Sequence, residues 1–176
     1  DSRDAFVPPL KYLGYSVNES NPKAILAAGE LLAKQRNKVN YGYIDLSKKS
    51  ELVTGKYWMA LAYSGDALAI QEYHPDIKYI VPKEGTNLWC DYIAVFEASK
   101  KKVAAMAFIN YINRPEVAKR IAVSLYYATP NIAAKALLPQ AFLDNKVIYP
   151  EESVLRKSES YKALSGKTTG RYNNTF

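Results

Sequence analysis

An α/β fold is predicted for this chain from three observations. Stretches with helical periodicity alternate with short runs of strand character. One such run, residues 57–63 (YWMALAY), is apolar on both alternating sides and bounded by Gly55 and Gly65, as in a strand buried on both faces. At 176 residues the chain suits one medium domain or two small lobes. Its 48% hydrophobic and 23% charged content excludes the disordered, collagen-like and coiled-coil classes.

The elements follow in order. Ser2 is placed to cap a helix running to about residue 13 and ended by Gly14, with Pro8 and Pro9 expected to kink it or delay its start. Asn21-Pro22 opens a second helix over 22–35, with Ile25, Ala28 and Leu32 on one face. Residues 41–46 read as a short strand, and 47–53 as one or two helical turns closed by Gly55. After the buried strand at 57–63, Ser64-Gly65-Asp66 starts a helix to about residue 72. Residues 77–81 (IKYIV) alternate as a strand stopped by Pro82, and 88–96 form another. Ser99 caps a helix whose face is Ala105, Phe108, Ile109 and Ile112. Arg114-Pro115 breaks it and starts the next, with Val117, Ile121 and Leu125 in register. A loop at 125–130 (LYYATP) leads to weakly patterned helices at 132–137, 140–143 and 152–164, and the tail GKTTGRYNNTF reads as irregular. No internal repeat or composition break interrupts the chain.

Several chemistries are excluded early. Cys90 is the single cysteine, so neither an intrachain disulfide nor a cysteine-built metal site is possible. His74 is the single histidine, which removes multi-histidine metal sites and leaves one residue to serve any Ser-His or Cys-His system. No apolar run reaches the roughly 18 residues a spanning helix needs. The net charge of +7 suits nucleic acid, an anionic surface or no particular partner, and 15 tyrosines supply flat rings with polar tips for wet, ligand-facing surfaces. The opening DSRDAF, without Met, a charged start or an apolar stretch, reads as a cut point in a longer protein.

Four constellations remain. Asp1 and Asp4 share a face at a helix start, where carboxylates favour the positive helix end with or without a ligand. Tyr63 and Asp66 flank the turn from the buried strand into a helix, the end of a strand where α/β folds gather ligands. Helix electrostatics accounts equally for Asp66. Trp89 and Asp91 alternate onto one side of a strand, and an acid beside a ring in a run heading inward needs a partner. Tyr126-Tyr127 lies in a loop after a helix. Lys100–Lys102 and Lys119-Arg120 read as solvated helix faces without a nucleic-acid motif. Carboxylates with rings suit an organic cation, since acids pair its charges and rings face its ammonium groups. No nucleophile–base pair accompanies them, so binding rather than catalysis is indicated.

These motifs resemble a known family. DSRD, LGYS (13–16), MALAYSGDA (59–67), VPKEG (81–85), WCDYIAV (89–95), FINYINRPEVAKRIA (108–122) and YATPN (127–131) follow, in order and over nearly the whole chain, the C-terminal half of the periplasmic spermidine/putrescine receptors of ABC importers. The resemblance implies a type II periplasmic-binding fold whose two lobes close around a ligand, each lobe incomplete here because the family's N-terminal half is absent. It implies that residues 1–88 belong to the second lobe and the hinge crossover, 89–135 to the first lobe, and 136–176 to a helical return to the second. Missing strands would leave sheet edges open to self-association or domain swapping.

Carried over residue by residue, Asp1 and Asp4 match the family's acidic pair, the second of which is commonly Glu. Tyr63 takes a position that is often Trp, and Asp66 matches an acid of putrescine-selective members. Trp89 and Asp91 match the ring and the acid that grips one ammonium group. Tyr127 matches the pocket tyrosine before TPN, and Tyr161 falls near a polar pocket position. The resemblance implies no enzymatic activity and no cofactor or metal. Its implied partners are a polyamine and the membrane permease subunits of the transporter, in the periplasm or anchored outside a Gram-positive cell. A type II receptor for an amino acid, sugar or opine is the alternative. A basic nucleic-acid-binding module is the remote one.

Overall fold

The computed structural model describes residues 2–36, 38–39 and 44–176. In chain order the elements are α1 (Ser2–Tyr12), α2 (Pro22–Gln35), α3 (Ser64–Gln71), β1 (Asn87–Leu88), α4 (Lys102–Ile112), α5 (Pro115–Leu125), α6 (Ile132–Lys135), α7 (Gln140–Leu143), α8 (Glu152–Leu155), β2 (Glu159–Ser160) and α9 (Gly166–Thr175). They divide between two compact units, one of Asp1–Gly42, Val81–Cys90 and Glu151–Phe176, the other of Tyr43–Ile80 and Asp91–Pro150. This groups 43–80 with 91–150, unlike the boundaries at 88 and 135, which concern the lobes of a longer protein. No helix among the described residues is long and apolar enough to cross a membrane.

The first unit is built on α1, α2 and α9. Helix α1 starts at Ser2 with both prolines inside it, so its start is not delayed. Ser2 is a helical residue whose hydroxyl donates to Asn173 Oδ1 (2.7 Å). Pro8 and Pro9 lack the donors that would reach the Asp4 and Ala5 carbonyls, but Phe6, Val7, Pro9 and Leu10 are buried, and that packing sustains the helix. Gly14, at φ +77°, ends it as expected. The Gly14 N–H donates to Lys11 O (3.0 Å) and the Tyr15 N–H to Leu10 O (2.8 Å), a left-handed cap that satisfies the last carbonyls. In α2, Asn21 accepts from the Lys23 N–H and Ile25, Ala28 and Leu32 are buried, all as read from the sequence.

Two C-terminal expectations are corrected. The tail is not irregular: Ser165 Oγ accepts from the Thr168 N–H (3.2 Å) and starts α9. Tyr172 on α9 is 1% exposed and meets Phe6 edge-on, with ring centroids 4.9 Å apart. Tertiary burial here outweighs the poor helix propensity of Gly166 and Gly170. The helix expected over 152–164 stops at Leu155, and β2 follows in parallel register with β1, Asn87 opposite Glu159 and Leu88 opposite Ser160. Glu159 is the reason: its N–H donates to Thr86 O (3.0 Å) while its carboxylate accepts from Lys11 Nζ (2.9 Å), Ser16 Oγ and the Val17 N–H.

Burial pushes the Glu159 carboxyl up, but the hydrogen bonds from Ser16, Lys11 and Val17, with the Lys11 charge, outweigh it and hold the group below its ordinary value. A carboxylate depressed by folding contributes stability that is present above its unfolded value and lost as pH falls through the folded one. Glu159→Gln is therefore expected to cost about 1–2 kcal/mol at pH 7, after discounting for partial exposure. In urea titrations the gap between the two proteins should narrow below about pH 4.5. An equal gap at pH 7 and pH 3.5 would contradict this account.

The second unit packs α5 against α3, α4 and α6. Pro115 starts α5 as expected, but the buried positions are Ala118 and Ala122. The expected face is turned outward, with Ile121 39% and Leu125 55% exposed. Small residues let neighbouring helices approach closely, so the face is rotated by one residue. Helix α4 starts after Ser99 Oγ accepts from the Lys101 N–H (3.1 Å), yet none of its residues is buried and Phe108 is 57% exposed.

The strands expected in this region are also corrected. Residues 57–63 carry no strand, and Trp58 is 95% exposed. Residues 77–81 carry no strand either, and in 88–96 only Leu88 belongs to one. A run of strand composition becomes a strand only when a second segment pairs with it in register, and the one such pairing among the described residues is β1 with β2. Residues 47–53 form hydrogen-bonded turns rather than a helix, followed by Gly55 at φ +75°. The strand expected over 41–46 lies outside the described residues at 41–43, and 44–46 carry no ladder.

Candidate functional site

In the first unit, Asp4 and Tyr161 come together. Asp4 stands in the first turn of α1, where a carboxylate is stabilised by the helix dipole, and the Tyr161 hydroxyl donates to its Oδ1 at 2.6 Å. Arg3 joins them: its guanidinium carbon lies 4.1 Å from the Tyr161 ring centroid, and its Nη2 donates to Asn18 Oδ1 (2.8 Å). Arg3 was not singled out from the sequence, although it stands inside DSRD. Trp89 directly follows β1 and is 41% exposed. Asp1 lies outside the described residues.

In the second unit, Asp66 and Tyr127 come together. Tyr63 is the extended residue ahead of α3 (φ −72°, ψ 153°), and Asp66 occupies the first turn. The Tyr127 hydroxyl donates to Asp66 Oδ1 at 3.4 Å, long for a hydroxyl donor. Burial, then the charge and hydrogen bond of Asp66, push the Tyr127 phenol up to about 12. Tyr127 therefore stays a neutral donor at any physiological pH.

Gly65 makes this pairing possible. A Cβ there would fall 2.5 Å from Tyr127 Cζ and 2.6 Å from Leu125 O, so only glycine lets the ring and the end of α5 lie against α3. The sequence did mark the place, as a small residue beside an acid where an extended run turns into a helix. Asp91 is exposed at the start of 91–150. The alternation that put Trp89 and Asp91 on one side assumed a strand over 88–96. Since β1 ends at Leu88, that reasoning has no structural basis. Among the described residues no group of three or more His, Cys, Asp or Glu side chains could hold a metal ion.

The arrangement pairs carboxylates with tyrosine hydroxyls at helix starts and, among the described residues, brings no nucleophile–base pair with them. Residues 1–148 match the family of bacterial extracellular solute-binding proteins. The chain belongs to that family. It is 33% identical to the spermidine/putrescine-binding periplasmic protein of Salmonella typhimurium, covering 90% of this chain and 45% of that one. It is likewise 33% identical to the putrescine-binding periplasmic protein SpuD of Pseudomonas aeruginosa, covering 96% of this chain and 47% of the relative. Among solved structures, a spermidine/putrescine ABC transporter protein from Listeria monocytogenes superposes with a TM-score of 0.86 at 30% identity, over 99% of this chain and 53% of that one.

The fold is therefore the type II periplasmic-binding fold, and the chain spans about half the length of the curated relatives it matches. Solute-binding proteins hold their ligands without transforming them, so this member of the family is not an enzyme.

Proposed function

We propose that this chain forms part of an extracytoplasmic receptor that delivers a polyamine, putrescine or spermidine, to the permease subunits of an ABC importer. The observation that carries the reading is the Asp66–Tyr127 contact, a half-buried carboxylate against a neutral ring, in a chain of the solute-binding family. The relatives' names, which specify spermidine and putrescine, support the ligand class, and their periplasmic placement supports a location outside the cytoplasm. The lobe assignment of 1–88, 89–135 and 136–176 belongs to the same proposal, as do ligand-facing roles for Asp1, Asp4, Tyr63, Asp66, Trp89, Asp91, Tyr127 and Tyr161.

Magnitudes fit a small dication. A micromolar ligand needs about −8 kcal/mol net. Hydrogen bonds to charged groups contribute about 1.5–3 kcal/mol each, and a ring facing an ammonium about 0.5–2. Two acids and two rings reach that scale. The net charge of +7 repels a cation at long range, but salt screens that repulsion beyond about 8–10 Å, so recognition is local.

Calorimetric titration of the protein with spermidine and with putrescine tests the reading, and no heat with either would refute it. Asp91→Asn is expected to lose about tenfold in affinity, as when a charge-assisted hydrogen bond is removed. Asp4→Asn should lose less, because the resemblance gives Asp91, and not Asp4, the grip on an ammonium group. Equal losses would overturn that ranking.

A further inference from the structure

We propose that Glu72 and Tyr126 form a latch that positions Tyr127 against Asp66, and so sets how tightly a cationic ligand is held; the ligand half of this rests on the function proposed above. Tyr126 is the one described non-glycine residue with positive φ (57°), and it caps the C-terminus of α5 in the left-handed region. A residue bearing a side chain stays there only when its surroundings hold it. The holding contact is the Tyr126 hydroxyl, which donates to Glu72 Oε1. Hydrogen bonding to Glu72 also pushes the Tyr126 phenol up.

The left-handed residue reverses the chain, so that the Tyr127 N–H returns to Ala122 O (3.2 Å) and the Tyr127 ring covers Gly65. Two consecutive tyrosines thus engage two carboxylates on one helix: Tyr127 takes Asp66 in the first turn of α3, and Tyr126 takes Glu72 at its C-terminal cap. Six residues of helix separate those acids by about 9 Å.

The position of Glu72 argues for the latch. A carboxylate at a helix C-terminus faces the negative end of the dipole, so the helix itself gains nothing from it. Helix electrostatics explains Asp66 and fails to explain Glu72.

The test uses Tyr126→Phe, which removes only the hydroxyl, and Glu72→Ala, which removes its acceptor. Each is measured by calorimetry with spermidine, by amide hydrogen exchange at Tyr127 without ligand, and by urea midpoint. A latch predicts affinity about fivefold weaker in either variant, no further loss when the two are combined, and no effect of Tyr126→Phe in an Asp66→Asn background. Exchange at Tyr127 should quicken severalfold while the urea midpoint of Glu72→Ala stays in place. Unchanged affinity together with unchanged exchange would overturn the proposal, as would a loss fully accounted for by a lower urea midpoint. If the unsubstituted protein binds no polyamine, the proposed function falls and the exchange measurement alone decides the latch.

Discussion

Phe6→Ala is expected to destabilise the α1–α2–α9 unit by about 3–5 kcal/mol, the range for truncating a fully buried aromatic residue. Phe6 is 0% exposed in a cluster with Leu10, Ile25, Ala28, Leu32 and Tyr172. Its neighbours cannot close over the gap easily, because Gly29 of α2 already lies against Thr175 of α9, where a Cβ would fall 2.2 Å from the Thr175 methyl. The edge-on contact with Tyr172 is lost as well, which adds to the area term. Chemical denaturation, followed by amide exchange in α1, α2 and α9, reads the effect. Tyr172→Phe is the calibrating variant: it keeps the ring and loses only the hydroxyl bond to Glu19 O (2.9 Å), for about 1 kcal/mol. A Phe6→Ala cost as small as that of Tyr172→Phe would show that the cluster is not the core of this unit.

What the sequence made legible in this unit follows from where its information is local. Asn21-Pro22 and Gly14 act through their own backbone geometry, so α2 and the end of α1 were readable residue by residue. Helix α9 was not, because its stability comes from Tyr172 meeting Phe6 across 166 residues of chain, and GKTTGRYNNTF carries little propensity of its own. The same holds for β2: Glu159 sits in a weakly helical pattern and is drawn out of it by Lys11 and Ser16.

Strands fail for a related reason. Residues 57–63 and 89–96 have the composition of strands, but a ladder is a property of two segments, and the one ladder among the described residues joins β1 to β2. In the candidate site, acids and rings were readable as types through the motifs that carry them. Which acid meets which ring was not, since Asp66–Tyr127 and Asp4–Tyr161 are pairings between elements far apart in sequence. Arg3 and Glu72 escaped for the same reason, and Tyr126 was readable only as half of a tyrosine pair in a loop: nothing local marks a residue whose role is to hold another in place.

Gly65→Val is expected to be the most damaging single change in the second unit, at about 3 kcal/mol, with Gly65→Ala closer to 1–2. Two obstacles meet the new Cβ: the Tyr127 ring at 2.5 Å, which can swing, and Leu125 O at 2.6 Å, which is backbone and cannot. Alanine recovers up to about 1 kcal/mol through helix propensity, whereas valine adds bulk and recovers less. The backbone obstacle makes the prediction specific. Combining Gly65→Ala with Tyr127→Ala should restore little stability, because the Leu125 carbonyl remains in the way. Full rescue would mean that the ring alone sets the distance between α3 and α5. On the proposed function the same variants carry a second readout: Gly65→Ala pushes the Tyr127 hydroxyl off Asp66, so spermidine affinity should fall even where the fold survives. A Gly65→Ala protein that is folded and binds spermidine undiminished would separate the Asp66–Tyr127 contact from recognition, and leave α3 and α5 with a purely structural bond.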